Sequence, residues 1–296
     1  MKSSIAALQS FFIWQCNLFY ELLKLREDKN EKRDEMTQFK IAFFDIDGTL
    51  ADNTLPHDLS ILERIPLSAK EALRQLKQNG IEPVIASGRN HLMLREFASK
   101  LGVESLVASN GTQVLYKGKE VACHPIAHSL LKETMLEFDR QQIRYIIETP
   151  ERFLATSKKV ATEDAAAKYI EYVADIKSLP PDVIQLIVRL EDRKNIQLES
   201  ELLVAEKVAP VVMDVHLSHV SKATGVHEIL EKLNIKPEEA LAFGDEENDL
   251  AMFDAVGYPI AMGNACDALK EKAKFVTDKV GEDGIWLACQ KLGLVQ

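Results

Sequence analysis

Short apolar runs punctuate the chain, and each of the first three stops at a polar residue. Ile41-Ala-Phe-Phe44 runs into Asp45 and Asp47, Ile81-Glu-Pro-Val-Ile-Ala86 into Ser87, and Leu106-Val-Ala108 into Ser109, Asn110 and Gly111. Runs of this length, closed by turn residues, predict buried strands. Between the first two, Ser68 and Glu71 have the spacing of a capping box, Leu73 and Leu76 mark a helix face, and Gly80 a helix stop. Gly88-Arg89 turn into a second helix, roughly a dozen residues long and ending near Gly102. The order β-α-β-α-β is that of a parallel sheet.

From about Val114 the rhythm changes. Two apolar stretches flank the turn Lys117-Gly-Lys119, a hairpin pattern. Helices near Ser129–Gln141 and Glu163–Val173 follow, with strands at Ile143–Glu148, Val183–Leu190 and Val211–Leu217. After His219 the β/α alternation returns: a helix from about Ala223 to Leu233, another opening at Lys236-Pro237, and Leu241–Asp245 as a strand ending in an acid. Asp249–Val256 is then a helix, Tyr258–Met262 a strand, and Ala265–Lys274 and Ile285–Leu292 the closing helices. The fold class expected is α/β: a doubly wound, Rossmann-like parallel-sheet core built from residues 36–117 and 217–296, with an α+β module inserted at 118–216.

Residues 1–35 stand apart. Ser3 to Tyr20 carries no charge, yet Gln9, Gln15 and Asn17 interrupt it, which suits an amphipathic helix better than a signal peptide or a membrane span. A charged linker follows, and the self-sufficient fold begins at Met36. The formal net charge of −10 argues against general affinity for nucleic acid or an anionic membrane. Cys16, Cys123, Cys266 and Cys289 are scattered without a C-x-x-C pair, which suggests reduced thiols in a cytoplasmic protein.

Two chemical clusters stand out. Asp45 and Asp47 sit at one strand end, where two like charges repel unless something neutralises them, and a hard divalent cation such as Mg²⁺ is a natural partner. Gly48 permits a tight turn that exposes backbone N–H groups toward an anion. Alternatively, the segment is a turn with acidic caps. Asp245, Asn248 and Asp249 form the second cluster, where the acids can also serve only to cap a helix. Lys222 is a candidate counter-charge for a phosphoryl group, and Ser87 a holder of phosphate oxygens; alone, each is an ordinary helix-start residue.

The ordered set Asp45-x-Asp47-Gly48-Thr49, Ser87, Lys222 and Gly244-Asp245-x-x-Asn248-Asp249 resembles the four motifs of the haloacid dehalogenase-like superfamily. The large insert, with Ser87-Gly88-Arg89, Ser109-Asn110-Gly111 and Val220-Ser-Lys222, resembles the Cof-type branch with a type IIB cap. The likeness runs from Met36 to the C-terminus, and residues 1–35 depart from it. It implies an Mg²⁺-dependent phosphatase for small phosphorylated metabolites, sugar phosphates first. Asp45 is then the nucleophile that becomes an aspartyl-phosphate and Asp47 the general acid and base. Lys222, Ser87 and Asn248 hold phosphoryl oxygens. Gly48, Thr49 and Gly88 complete the phosphate and substrate site; Arg89 either positions substrate or makes a surface ion pair, and Asn110 either forms a turn near the site or touches substrate. Mg²⁺ ligation falls to Asp45, the Asp47 main-chain carbonyl and Asp245, with Asp249 in support.

The expected partner is a small phosphate monoester, with no nucleic acid and no stable membrane insertion; monomer and homodimer remain open. The alternatives are a sugar phosphomutase and a non-catalytic phosphometabolite-binding regulator. His124 and His128 lack the glutamate of a zinc protease motif. In the insert, Tyr145, Glu148, Arg152, Arg189 and His216 are candidates for facing substrate.

Overall fold

The computed structural model describes residues 39–56, 58–156, 167–173, 179–190, 196–209 and 211–296. The expected N-terminal helix and linker, and Cys16, lie outside the described residues.

The large sheet has eight strands: β1 (Ile41–Phe44), β2 (Glu82–Ala86), β3 (Ser105–Ala108), β4 (Gln113–Tyr116), β5 (Lys119–Cys123), β12 (Ala240–Gly244), β13 (Tyr258–Ala261) and β14 (Phe275–Val276). Their order is β14-β13-β12-β1-β2-β3-β4-β5. The first six run parallel, and β4 and β5 fold back as an antiparallel hairpin. The expected parallel α/β core is therefore present.

Alternation along β1 explains both faces of this sheet. Ala42 and Phe44 join Leu73 and Leu76 of α1 (Leu67–Gln78), Leu94 and Phe97 of α2 (His91–Lys100) and the closing helix α7 (Gly284–Lys291). Ile41 and Phe43 face the other way, against Val226 and Ile229 of α4 (Lys222–Leu233) and Met252 and Phe253 of α5 (Leu250–Ala255). A further short helix, α6 (Asp267–Lys272), adds Leu269 to that second layer.

The second sheet is the cap. It comprises β6 (Arg144–Glu148), β7 (Phe153–Ala155), β8 (Ile170–Tyr172), β9 (Gln185–Arg189), β10 (Leu203–Ala209) and β11 (Val212–Leu217), in the order β10-β11-β9-β6-β7-β8. Helix α3 (His128–Arg140) covers one face, where Leu131 and Phe138 pack on Ile147, Leu186, Val188 and Val215. The alternate residues Ile146, Ile187 and Val212 turn to the opposite face, and there Leu92 and Met93 from α2 pack against them.

Several local expectations are corrected. Ser68 does not cap α1: Pro66 holds the N-cap position without a side-chain cap, and the Ser68 hydroxyl donates to Asp283. Glu71 is instead bound by Arg74 and Gln75 one turn on. Residues 167–172, expected to be helical, form a short turn and strand β8, which pairs with β7; the remainder of that expected helix, 163–166, lies outside the described residues. Pro237–Glu239 is a single 3-10 turn, not a full helix.

Candidate active site

The parallel register sets the site. Phe44 is level with Phe243 of β12 and Ile85 of β2, so Asp45, Asp245 and Ser87 leave neighbouring strands at the same carboxyl edge. This edge is where open α/β sheets bind their ligands.

Lys222 comes to that edge from the far side of the chain. Its Nζ lies 2.6 Å from Asp45 Oδ1 and 2.7 Å from Asp249 Oδ1, and it is almost wholly buried. A cation in the first turn of a helix opposes the helix dipole, so two carboxylates hold it there against that preference. Gly111 makes the approach possible: at φ +92°, a Cβ on it would meet the Ser221 carbonyl oxygen at 2.0 Å. Burial by itself would lower the Lys222 ammonium, but Asp249 and Asp45 outweigh it and hold the group above its ordinary range.

Asp249 is fixed by more than the lysine. Its Oδ2 accepts the Asp245 N–H at 3.0 Å and the Glu246 N–H at 3.3 Å, so it shapes the turn that presents Asp245. Residues 247–249 are a 3-10 turn and the α-helix starts only at Leu250. Burial pushes the Asp245 carboxyl up to about 8, with Asp45 and Asp249 adding repulsion that the Thr49 hydrogen bond only partly offsets. Burial likewise pushes Asp45 up to about 7, because one ammonium shared between two carboxylates does not compensate it.

Asp45, Asp245 and Asp249 offer oxygens that all lie within 4.8 Å of one another. Three buried carboxylates around one ammonium leave negative charge in excess, and the donors are all hard oxygens. This chemistry fits a divalent cation of the Mg²⁺ type.

Asp47 has a different environment. Arg89 donates to its Oδ2 at 2.7 Å, and Arg64 stands 4.0 Å from Oδ1. Its carboxylate is 41% exposed and borders the cleft, as do Asp45, Ser87, Gly88, Arg89, Asn110 and Asn248. Ser87 and Asn110 are tied together by the Asn110 N–H donating to the Ser87 carbonyl. The cleft between core and cap has a volume of about 890 Å³.

Two residues expected at the phosphate lie elsewhere. Thr49 is fully buried, and its hydroxyl donates to Asp245 Oδ1 at 2.7 Å. The Gly48 N–H, expected to face an anion, donates to the Ala51 carbonyl at 2.9 Å. What Gly48 does require is its lack of a side chain: at φ +87°, a Cβ would fall 2.0 Å from Asp245 Oδ2. Both residues therefore seat Asp245.

The sequence reading missed Asn264 and Arg64. Asn264 Nδ2 donates to the Gly48 carbonyl at 2.7 Å, and its Oδ1 accepts the Val280 N–H. Its signal was the polar turn that closes the apolar run Tyr258–Met262, the pattern that marked Ser87. Arg64 carries no such signal. Of the cap candidates, Glu148 borders the cleft. His216 is fully buried, with Nε2 3.5 Å from Glu206. Arg152 pairs with Glu171. His124 pairs with Glu228 of α4.

A family model for haloacid dehalogenase-like hydrolases matches residues 42–288. YkrA of Bacillus subtilis is 30% identical over 271 residues, 87% of this chain and 99% of YkrA. The 5-amino-6-(5-phospho-D-ribitylamino)uracil phosphatase YcsE of the same organism is 27% identical over 260 residues, 85% of this chain and 94% of YcsE. The solved structure of BT4131, a sugar phosphatase of subclass IIB of the superfamily, gives a TM-score of 0.70 at 24% identity, covering 86% of this chain and 100% of that one; it is a likeness of fold. The chain belongs to the haloacid dehalogenase-like hydrolases, in their Cof-type branch.

Proposed function

We propose that this haloacid dehalogenase-like hydrolase is an Mg²⁺-dependent phosphatase of small phosphorylated metabolites, working through an aspartyl-phosphate on Asp45. The observation that carries the reading is the meeting of Asp45, Lys222, Asp249 and Asp245 at one sheet edge. Asp45 Oδ1 is bound to Lys222, which leaves Oδ2 to attack phosphorus. The P–O bond to the leaving group breaks as the new P–O bond forms, and Asp47 protonates the departing oxygen. In the second half Asp47 takes a proton from water, the water oxygen attacks phosphorus, and Asp45 is released as carboxylate with inorganic phosphate.

For Asp47 to do this Arg89 has to let go of it. Arg89 is 27% exposed on a cleft wall, so it is placed to move onto the phosphate as substrate enters. Ser87 and Asn248 hold phosphoryl oxygens, and Lys222 favours the charged form of Asp45 against its burial. Asp45, Asp245 and the Asp47 carbonyl would hold Mg²⁺, with Asp249 behind them; when bound it supplies positive charge opposite the phosphoryl oxygens.

The second sheet with α3 acts as the cap; residues 119–123 of the expected module 118–216 belong instead to the core sheet as β5. The cap carries the wall that meets the leaving group and closes over the site. Sugar phosphates are the leading substrate class, and the sugar phosphatase fold likeness and the ribityl compound named for YcsE support that choice. The scattered cysteines, with no C-x-x-C pair, support a cytoplasmic placement.

The test is phosphate release from para-nitrophenyl phosphate and a panel of sugar phosphates, with and without Mg²⁺, by the protein and Asp45→Asn. Release that needs Mg²⁺ and disappears in the variant is expected. Full activity in Asp45→Asn would overturn the mechanism, and an isomeric phosphate in place of free phosphate would identify a mutase.

A further inference from the structure

The cap wall of the cleft is built from hydrogen-bond acceptors. Strand alternation brings Glu148 of β6, Gln185 of β9, Asp214 of β11 and Glu206 of β10 to the same cap face, and all four line the cleft. Gln185 is almost wholly buried, and its Nε2 donates to Glu148 Oε2 at 3.2 Å. That bond fixes the amide orientation and leaves Gln185 Oε1 buried without a partner. A buried acceptor in this position is a direct cost unless something in the cleft donates to it.

The charges point the same way. Asp214 and Glu206 are in register across the β10–β11 pair, and like charges directly opposite on one face repel. His216 holds the Glu206 carboxyl below its usual range, so that group is ionised, and Asn110 Nδ2 donates to Asp214 Oδ2 at 3.4 Å. Among the described residues lining the cleft, Asp47, Glu206, Asp214, Glu246 and Glu247 carry carboxylates, while Arg89 and Lys207 carry the permanent cations. Arg89 is engaged with Asp47 at the phosphate end. Lys207 is exposed at the cap edge, where water screens it.

We infer that the leaving group is rich in hydrogen-bond donors and carries no second anion: a polyhydroxyl or amine-bearing group whose OH or NH donors meet Gln185 Oε1, Asp214 and Glu206. This rests on the phosphatase reading above and narrows its substrate class. Compounds with a carboxylate or a second phosphate on the leaving group are excluded by the same wall that binds a polyol.

The test uses two open-chain probes that differ at one end, sorbitol 6-phosphate and 6-phosphogluconate, with glucosamine 6-phosphate and glucose 6-phosphate as a second pair. With Mg²⁺, kcat/KM for sorbitol 6-phosphate should exceed that for 6-phosphogluconate by at least about tenfold, and glucosamine 6-phosphate should equal or exceed glucose 6-phosphate. In Asp214→Asn combined with Glu206→Gln the first gap should shrink several-fold through KM, each kcat/KM being read relative to para-nitrophenyl phosphate turnover by the same variant. Equal or better use of 6-phosphogluconate, or a gap unaltered in the double variant, overturns the inference and leaves the phosphatase reading standing. If no compound is turned over, the phosphatase reading falls. Calorimetric binding of the two open-chain probes then decides: tighter 6-phosphogluconate overturns the inference, and tighter sorbitol 6-phosphate supports it.

Discussion

Asn90 Nδ2 donates to Glu148 Oε1 at 2.9 Å, joining the residue that caps α2 in the core to the inner face of the cap sheet. The Ser109 hydroxyl and the Gln185 amide reach the same carboxyl, so Glu148 fastens two core loops to the cap. Burial pushes it up from 4.5 to about 7, against the pull of those three donors. Between these values the unfolded chain has released the proton and the folded protein still holds it, so stability from this group falls as pH rises. Glu148→Gln removes that titration. The stability of the unchanged protein relative to the variant should be greatest below pH 4.5 and decline until about pH 7. Urea midpoints for both proteins across that range check this, and a constant difference would contradict it.

Lys222→Met leaves Asp45 and Asp249 buried without their shared ammonium. Breaking such a pair by removing one partner costs about 3–5 kcal/mol. The variant should melt lower, regain part of the loss when Mg²⁺ is added, and lose phosphate release. Lys222→Arg should not restore activity, because a planar fork cannot replace a point charge 2.6 Å and 2.7 Å from two different carboxylates. Thermal melts with and without Mg²⁺ read the first effect, and phosphate release the second.

Asp47→Asn removes the proton carrier but keeps a side chain that Arg89 can bind. A loss in kcat of about 10²–10⁴ is expected, the usual contribution of a positioned acid or base. The variant should still take the phosphoryl group onto Asp45 from para-nitrophenyl phosphate faster than from a sugar phosphate, because nitrophenolate leaves without a proton. The ratio of the two rates is the measurement, and it should rise over that of the unchanged enzyme.

Gly48→Ala introduces a Cβ that would fall 2.0 Å from Asp245 Oδ2, on a backbone at φ +87°. The conformation alone costs about 1–2 kcal/mol, and the contact displaces Asp245. Activity should then require much higher Mg²⁺, which a titration of phosphate release against metal concentration would show.

Asn264→Ala strips the Gly48 carbonyl and the Val280 N–H of their shared partner. A loss of roughly 1–3 kcal/mol is expected for leaving such groups unpaired, with a rise in the Mg²⁺ needed for half-maximal rate. Asn264→Asp should rescue the Val280 contact but not the donation to Gly48, so melting and metal response separate the two bonds.

The parallel β/α core, and the strand ends where Asp45, Ser87 and Asp245 emerge, are legible in the order of residues alone. Those features are local: an apolar run followed by a polar turn is written in adjacent residues, and the β-α-β order calls for parallel pairing. The sequence also signalled the inserted cap. Three cap strands, Phe153–Ala155, Ile170–Tyr172 and Leu203–Ala209, escaped it, because two are too short to show a period and the third mixes charge into its run.

Which groups meet depends on how distant segments pack. Lys222 and Asp45 are 177 positions apart, and packing of α4 against the sheet closes that distance. Register, not composition, turns Thr49 inward to Asp245, makes Asn264 part of the site, and lines up Glu206 with Asp214 on the cap. A one-residue slip of a strand reverses every side chain on it, so the chemistry of the leaving-group wall is fixed by pairing across strands that no local pattern specifies.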